Sequence, residues 1–159
     1  MRALPPRIRM LAPVVQRDMR PPLRTRQAST RDLQALAELL LVSYAGTVDD
    51  LKQTFEEALA ELENFARGDI GPALWDCSFI ALASGRPVST ALTCDENGVP
   101  LLGYIYTHPD WQNRGLATSL IAIAMNALAR RGYDIVSLRV ATANDAAQRL
   151  YRRLGFEEE

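Results

Sequence analysis

The residues with chemistry to offer gather in two stretches. The first is Gly103 to Ala117, G-Y-I-Y-T-H-P-D-W-Q-N-R-G-L-A. The apolar run Leu101 to Tyr106 that leads through it reads as a strand, and His108-Pro109 ends it. Proline brings no N–H and pushes its predecessor out of helical space. Gln112 to Ala117 then connects tightly into an apolar helix over Leu116 to Leu128. A strand, a glycine bend and a helix together make an anion site. The N–H groups of the helix's first turn lack partners, and the aligned peptide dipoles add about half a positive charge. Gly115 admits a close backbone approach that a Cβ would obstruct. There is no G-x-x-x-x-G-K-[ST] and no G-x-G-x-x-G, so neither a nucleotide phosphate loop nor a dinucleotide loop is supported.

The second stretch starts with Ile135 to Val140, a β-branched run that reads as a strand, and continues A-T-A-N-D-A-A-Q-R-L-Y-R-R-L-G-F. Asn144 or Asp145 suits the N-cap of a helix and Gly155 its C-terminal end. Asn144, Ala147 and Tyr151 fall at i, i+3 and i+7, nearly two turns, so they share one face. Ala146, Leu150 and Leu154 lie on another and read as core. A lone tyrosine on such a helix is ordinarily a half-buried core residue. Asn144 two turns earlier and the following G-F are what favour a functional reading here.

Gln112-x-x-Gly115-x-Ala117 resembles the acyl-CoA pyrophosphate loop, Q/R-x-x-G-x-G/A, of the GNAT superfamily of N-acyltransferases. Asn144-x-x-Ala147-x-x-x-Tyr151 followed by G-F is similar to a second GNAT segment, in the superfamily's order and at about its usual distance. The resemblance covers roughly Leu23 to Phe156, and its specific motifs are confined to residues 103 to 156. It implies an α/β (α+β) fold: a mixed, mostly antiparallel sheet with a splayed parallel strand pair and helices on both faces. In the superfamily a strand pair after the G-F closes the sheet, whereas here Glu157-Glu158-Glu159 follow. That pair is therefore expected to be missing, its exposed edge covered by a partner chain, as in a homodimer, or by Ile8 to Val15.

The chemistry implied by the resemblance is direct transfer of an acetyl group from acetyl-CoA, as co-substrate, to a primary amine of a small molecule or peptide. Backbone groups of Ile105, Tyr106 and Thr107 would pair with the pantetheine arm and polarise the thioester carbonyl. The N–H groups of Asn113, Arg114, Gly115, Leu116 and Ala117, with the Thr118 hydroxyl, would hold the pyrophosphate, and the Gln112 and Arg114 side chains would add contacts. Asn144, with Ala147 on the same face, would meet the pantetheine, and Tyr151 would protonate the departing thiolate. A neutral amine has to be generated, so a base is expected. Asp95, Glu96, Tyr104 and Tyr106 are candidates, and Tyr44, Asp49 and Asp50 lie in a loop that borders the acceptor site in the superfamily. Acids in a loop are also commonly just solvated. His108, the single histidine, precedes a proline at a strand end and more simply faces solvent. A non-catalytic acyl-CoA-binding or interaction module of the same fold is the alternative.

Composition sets the bounds. The 159 residues suit one domain of ordinary size. With 48% hydrophobic and 23% charged residues and a net charge of −1, nothing global points to nucleic acid or membrane. Cys77 and Cys94 form no metal spacing with His108, so no metal is expected, and both read as buried free thiols of a reduced, cytoplasmic compartment. Residues 1–22 carry five arginines, one acid and five prolines. This leader is expected to be loosely ordered or to add an edge strand over Ile8 to Val15, with the acetyltransferase domain over 23–159; a nucleic-acid arm is a third reading.

The supporting elements follow from pattern. Leu23 to Gln27 is a short strand. Ser29 or Thr30 caps a helix striped by Leu33, Leu36, Ala37, Leu40, Leu41 and Tyr44. Leu51, Phe55, Leu59 and Leu62 predict a second helix from about Val48 to Ala66. Ser78 to Ala83 and Val88 to Cys94 form a hairpin through Ser84-Gly85-Arg86-Pro87, and Asn97-Gly98 turns the chain into the strand Pro100 to Thr107.

Overall fold

The computed structural model describes residues 3–159; Met1 and Arg2 of the leader lie outside the described residues. Seven strands, β1 (Arg7–Pro13), β2 (Arg24–Gln27), β3 (Phe79–Ala83), β4 (Arg86–Glu96), β5 (Val99–Thr107), β6 (Ile135–Ala141) and β7 (Glu157–Glu158), form one sheet in the order β2-β3-β4-β5-β6-β1-β7. Four helices, α1 (Leu33–Tyr44), α2 (Phe55–Ala66), α3 (Leu116–Arg130) and α4 (Asp145–Arg153), pack on its two faces. Ser84-Gly85 and Asn97-Gly98 take positive φ at both positions, the two-residue turns whose twist matches antiparallel strands, and so join β3, β4 and β5 as a meander.

One face is covered by α1 and α2, where Leu36, Leu40, Leu62 and Phe65 meet Ile80, Leu92, Leu101 and Tyr106. The other is covered by α3 and α4, where Ile121, Met125, Tyr151 and Leu154 meet Met10, Leu102 and Leu138. Each fully buried side chain of this size contributes about 1.5–3 kcal/mol. Leu116 and Leu120 of α3 close a third cluster over Ala81, Val88 and Ala91.

The compositional boundary near residue 22 is not a boundary in the fold. β1 runs antiparallel to β6 over seven residue pairs, from Arg7↔Ala141 to Pro13↔Ile135, and β7 pairs with its other side at Met10↔Glu158 and Leu11↔Glu157. β1 is thus an interior strand, and β1 and β7 occupy the two positions beyond β6. Alternation explains the fit: Met10 and Ala12 face the core while Arg7 and Arg9 face away from it. Arg9 and Arg17 of the leader are bound into the structure. Arg9 pairs with Glu159 at 2.7 Å, and Arg17 donates to the Leu154 carbonyl at 3.0 Å.

Two expected elements are corrected. The second helix begins at Phe55, not Val48, because residues 46–54 are committed to a loop. There the Asp50 carboxylate accepts the N–H groups of Gly46 and Lys52, Lys52 takes a φ of 56°, and Thr54 with Glu57 forms the capping box that starts α2. Ala146 is exposed rather than core; the buried positions of α4 are Gln148 and Tyr151. Gln148 is admitted to the interior because its Nε2 donates to the carbonyls of Ala141 and Thr142 where the chain leaves β6.

Candidate active site

β5 and β6 pair in parallel only at Leu101↔Ser137 and Leu102↔Leu138. Past that point the β6-facing peptide groups of residues 103–107 have no strand to bind, so all but the Thr107 carbonyl, which the Gln112 side chain engages, are free to meet a ligand. Across β4 the register shifts between Leu92 and Thr93, which skips Gly103. A Cβ at Gly103 would stand 3.1 Å from the Phe65 ring, so the absence of a side chain lets this bulge sit tight under α2. The bulge sends Tyr104 and Tyr106 toward α1 and α2 and Ile105 toward α3. The parted strands open a cleft of about 830 Å³.

The start of α3 forms one end of the cleft. Gly115 has a φ of 77° and Asn113 a φ of 61°, the conformations that turn the loop under the helix. The first helical bond runs from the Ser119 N–H to the Gly115 carbonyl at 3.0 Å, so the N–H groups of Leu116, Ala117 and Thr118 have no acceptor within the helix. No side chain caps this end, and no acid lies in its first turn. α2 is capped by Thr54, and α4 by Asn144, whose Oδ1 accepts the Ala147 N–H at 3.1 Å. Space above Gly115 is open: a Cβ there would meet nothing within 4 Å. Uncompensated donors and the positive pole of a fifteen-residue helix therefore face the cleft.

The expected site residues are brought together with one exception. Ile105, Tyr106, Thr107, Gln112, Asn113, Gly115, Leu116, Ala117, Thr118, Asn144, Ala147 and Tyr151 all line the cleft. The Gln112 side chain donates to the Thr107 carbonyl at 3.2 Å, tying the loop to the end of β5. Arg114 is the exception. Its guanidinium stacks 4.6 Å over the Trp111 ring and donates to the Asp110 carbonyl, away from the cleft lining.

Tyr151 stands on the wall formed by α4, 8% exposed, with its ring edge-on to Phe156. Its hydroxyl makes no hydrogen bond to another described residue. Burial first, then the negative charge of Asp49, pushes its phenol up to about 12, with Arg7 opposing. The facing wall carries Tyr44, Asp49 and Arg7, the last two paired at 3.4 Å. Burial and Asp49 likewise raise the Tyr44 phenol.

The base candidates separate by what their atoms already do. Asp50 is spent on the loop, and the Gly46 and Lys52 N–H groups hold its carboxyl down to about 2. Asp95 accepts from the Gly98 N–H and the Tyr133 hydroxyl, and both Glu96 oxygens accept from Arg139 at 2.7 Å. The Tyr106 hydroxyl donates to the Leu36 carbonyl at 2.8 Å, and the Tyr104 hydroxyl donates to Glu61 at 2.7 Å. The imidazole of His108 accepts the Asp110 N–H, and His108 does not line the cleft. Asp49 and Tyr44 remain on the cleft wall. Arg7 and Ser43 also line it and were not among the expected site residues. The signal for Arg7 was the period-two pattern around it, which makes β1 a strand of this sheet.

Comparison with known proteins gives one family. The acetyltransferase (GNAT) family model matches residues 33–156. An uncharacterized N-acetyltransferase of Methanocaldococcus jannaschii is 36% identical over 91 residues, which span 52% of this chain and 40% of that protein. A GCN5-related N-acetyltransferase from Sphaerobacter thermophilus superposes with a TM-score of 0.74 at 25% identity, covering 99% of this chain and 50% of its own. An aminoglycoside N-acetyltransferase in complex with CoA superposes with a TM-score of 0.64 at 25% identity, covering 85% and 88%. The chain thus spans half or less of the length of the archaeal relative and of the Sphaerobacter protein.

Proposed function

Because the chain belongs to the acetyltransferase (GNAT) family, we propose that it moves an acetyl group from acetyl-CoA to a primary amine of a small molecule or peptide. The observation that carries this is the uncapped N-terminus of α3 opening onto the gap between β5 and β6. The residues present fit the co-substrate. A pyrophosphate needs donors without competing carboxylates, and the first turn of α3 supplies them. The CoA bound by the aminoglycoside N-acetyltransferase supports the same reading.

In this reading the N–H groups of Asn113 to Ala117 and the Thr118 hydroxyl hold the pyrophosphate. Each charge-assisted bond is worth about 1.5–3 kcal/mol. The peptide groups of Ile105, Tyr106 and Thr107 that neither β4 nor the Gln112 amide engages align the pantetheine arm as an added strand would, and the Asn144 amide, its Oδ1 spent on the helix cap, offers its NH₂. When bound, the co-substrate supplies an activated acetyl thioester. An N–H of β5 polarises its carbonyl. Tyr151 Oη holds its proton across the working pH range and delivers it toward the leaving sulfur. Asp49 receives the acceptor amine and takes up its proton, being the acid on the cleft wall whose carboxylate is held, among the described residues, by a single ion pair, 3.4 Å long. We assign the reaction to the cytoplasm, a compartment that suits two buried free thiols.

An assay of acetyl-CoA against a panel of amines, reading free thiol and acetylated product together, tests the proposal. Equal release of both supports it. Tight CoA binding with no product from any amine would leave the non-catalytic acyl-CoA-binding module as the better account.

A further inference from the structure

We infer that the acceptor carries a carboxylate beside its amine, as a free amino acid does, and that Arg7 is the residue that holds that carboxylate. The inference rests on the acetyl-transfer reading above and adds the substrate class.

The argument starts from charges on the cleft wall. Arg7, Asp49, Arg139 and Arg153 line it. Arg139 is held by both oxygens of Glu96 at 2.7 Å, and Arg153 lies at the far end of α4 from its N-cap. Among the described residues the Arg7 guanidinium makes a single polar contact, 3.4 Å long, to Asp49, and its side chain is 34% exposed. Most of its five donors are therefore unspent. A plain cationic amine beside Asp49 would bring its positive charge against Arg7, which disfavours binding. A zwitterion meets both groups with the correct sign: its ammonium takes Asp49 and its carboxylate takes the planar fork of Arg7. One long ion pair is then exchanged for two.

A second, independent observation points to a polar ligand on this wall. Ser43 lines the same cleft, is 5% exposed, and its Oγ has no hydrogen-bond partner among the described residues. A buried hydroxyl left unpaired costs stability unless a ligand completes it. A carboxylate has acceptor capacity for both the Arg7 guanidinium and this donor.

The position of Arg7 makes this a property of the strand order. β1 lies directly beside β6, and the Arg7↔Ala141 pair sets Arg7 in the cleft lining.

The test compares leucine, leucinamide and isoamylamine as acceptors in the wild type, Arg7→Met and Arg7→Lys. The wild type is expected to prefer leucine over leucinamide in kcat/KM by about tenfold or more, the worth of one charge-assisted bond. That ratio collapses toward unity in Arg7→Met and is partly restored in Arg7→Lys, through KM rather than kcat. Thermal melts of the variants check folding, and calorimetric binding of N-acetylleucine against its carboxamide, in the presence of CoA, reads the preference without turnover. Amide and acid used or bound equally well by the wild type, or a ratio unchanged in Arg7→Met, overturns the inference while acetyl transfer stands. Absence of CoA binding overturns the acetyl-transfer reading and this inference with it.

Discussion

Replacing Tyr151 by Phe isolates one hydroxyl. The ring's packing is kept, including its edge-on contact with Phe156 at 6.0 Å between centroids, and no hydrogen bond to another described residue is lost. The stability change should therefore stay within about 0.5 kcal/mol. The rate should respond much more. A general acid contributes about 10²–10⁴-fold. The phenol stands at about 12, while a thiol stands near 8.5, so complete proton transfer is uphill by about 5 kcal/mol at about 1.36 kcal/mol per pKa unit. The hydroxyl is then a strong donor to developing charge, and the low end of the range applies. We expect kcat to fall about a hundredfold, or about 2.7 kcal/mol. CoA affinity should change less than about twofold, since a group acting only in the transition state adds nothing to ground-state binding. A raised phenol keeps its proton through the assay range, so the wild type should lose no activity to Tyr151 ionisation below about pH 11. Steady-state kinetics, calorimetry with CoA and thermal melts read the three quantities. A kcat within twofold of wild type, or a fall in melting temperature accompanied by parallel losses in kcat and CoA affinity, would remove the residue from the mechanism.

Three further outcomes test the fold beneath the site. Gly71→Ala places a Cβ 1.8 Å from the Asp95 carbonyl oxygen, a backbone atom that cannot swing away; urea unfolding should show a loss of about 3 kcal/mol or more. Asp32 is held below the usual carboxylate range first by its hydrogen bond to Arg26, with the Ser29 N–H adding to this and burial opposing. A depressed folded-state value means full stabilisation above the unfolded value of about 3.9 and loss as pH falls through the folded one. Asp32→Asn should thus cost about 1 kcal/mol at pH 7 in urea melts, with the gap to wild type closing below about pH 3. Cys77 and Cys94 are buried free thiols whose ionisation burial pushes up to about 11; a thiol reagent at pH 8 should modify neither in the folded protein and both in urea.

The end of the cleft formed by β5, α3 and α4 was legible in the sequence because its determinants are local. Pro109 ends β5, Gly115 turns the loop, and Asn144 caps α4, each acting within a few residues of itself. The same locality let the type of nearly every element be read. What failed was set by partners distant in sequence. The helical spacing of Leu51 and Phe55 could not reveal that Asp50 would be spent on the Gly46 and Lys52 amides, and so it placed the start of α2 too early. Asp95 and Glu96 looked free for base chemistry until Tyr133 and Arg139, about forty residues on, claimed them. Arg114 suited an anion until Trp111 offered its ring. The role of β1 was hardest to see, since its partners are β6 and β7 at the other end of the chain. The arginine-rich composition that set the leader apart is the pattern of a strand with Arg7 and Arg9 on one face and Met10 and Ala12 on the other. The wall that carries Arg7, Ser43, Tyr44 and Asp49 was thus the least readable part of the cleft.

Amide exchange of residues 113–118 with and without CoA tests the central claim most directly. Binding of the pyrophosphate at the start of α3 should slow exchange of the Leu116, Ala117 and Thr118 amides, which no carbonyl of the helix protects, by a factor that rises with CoA concentration. Unchanged exchange at saturating CoA, or protection confined to another part of the molecule, would contradict it.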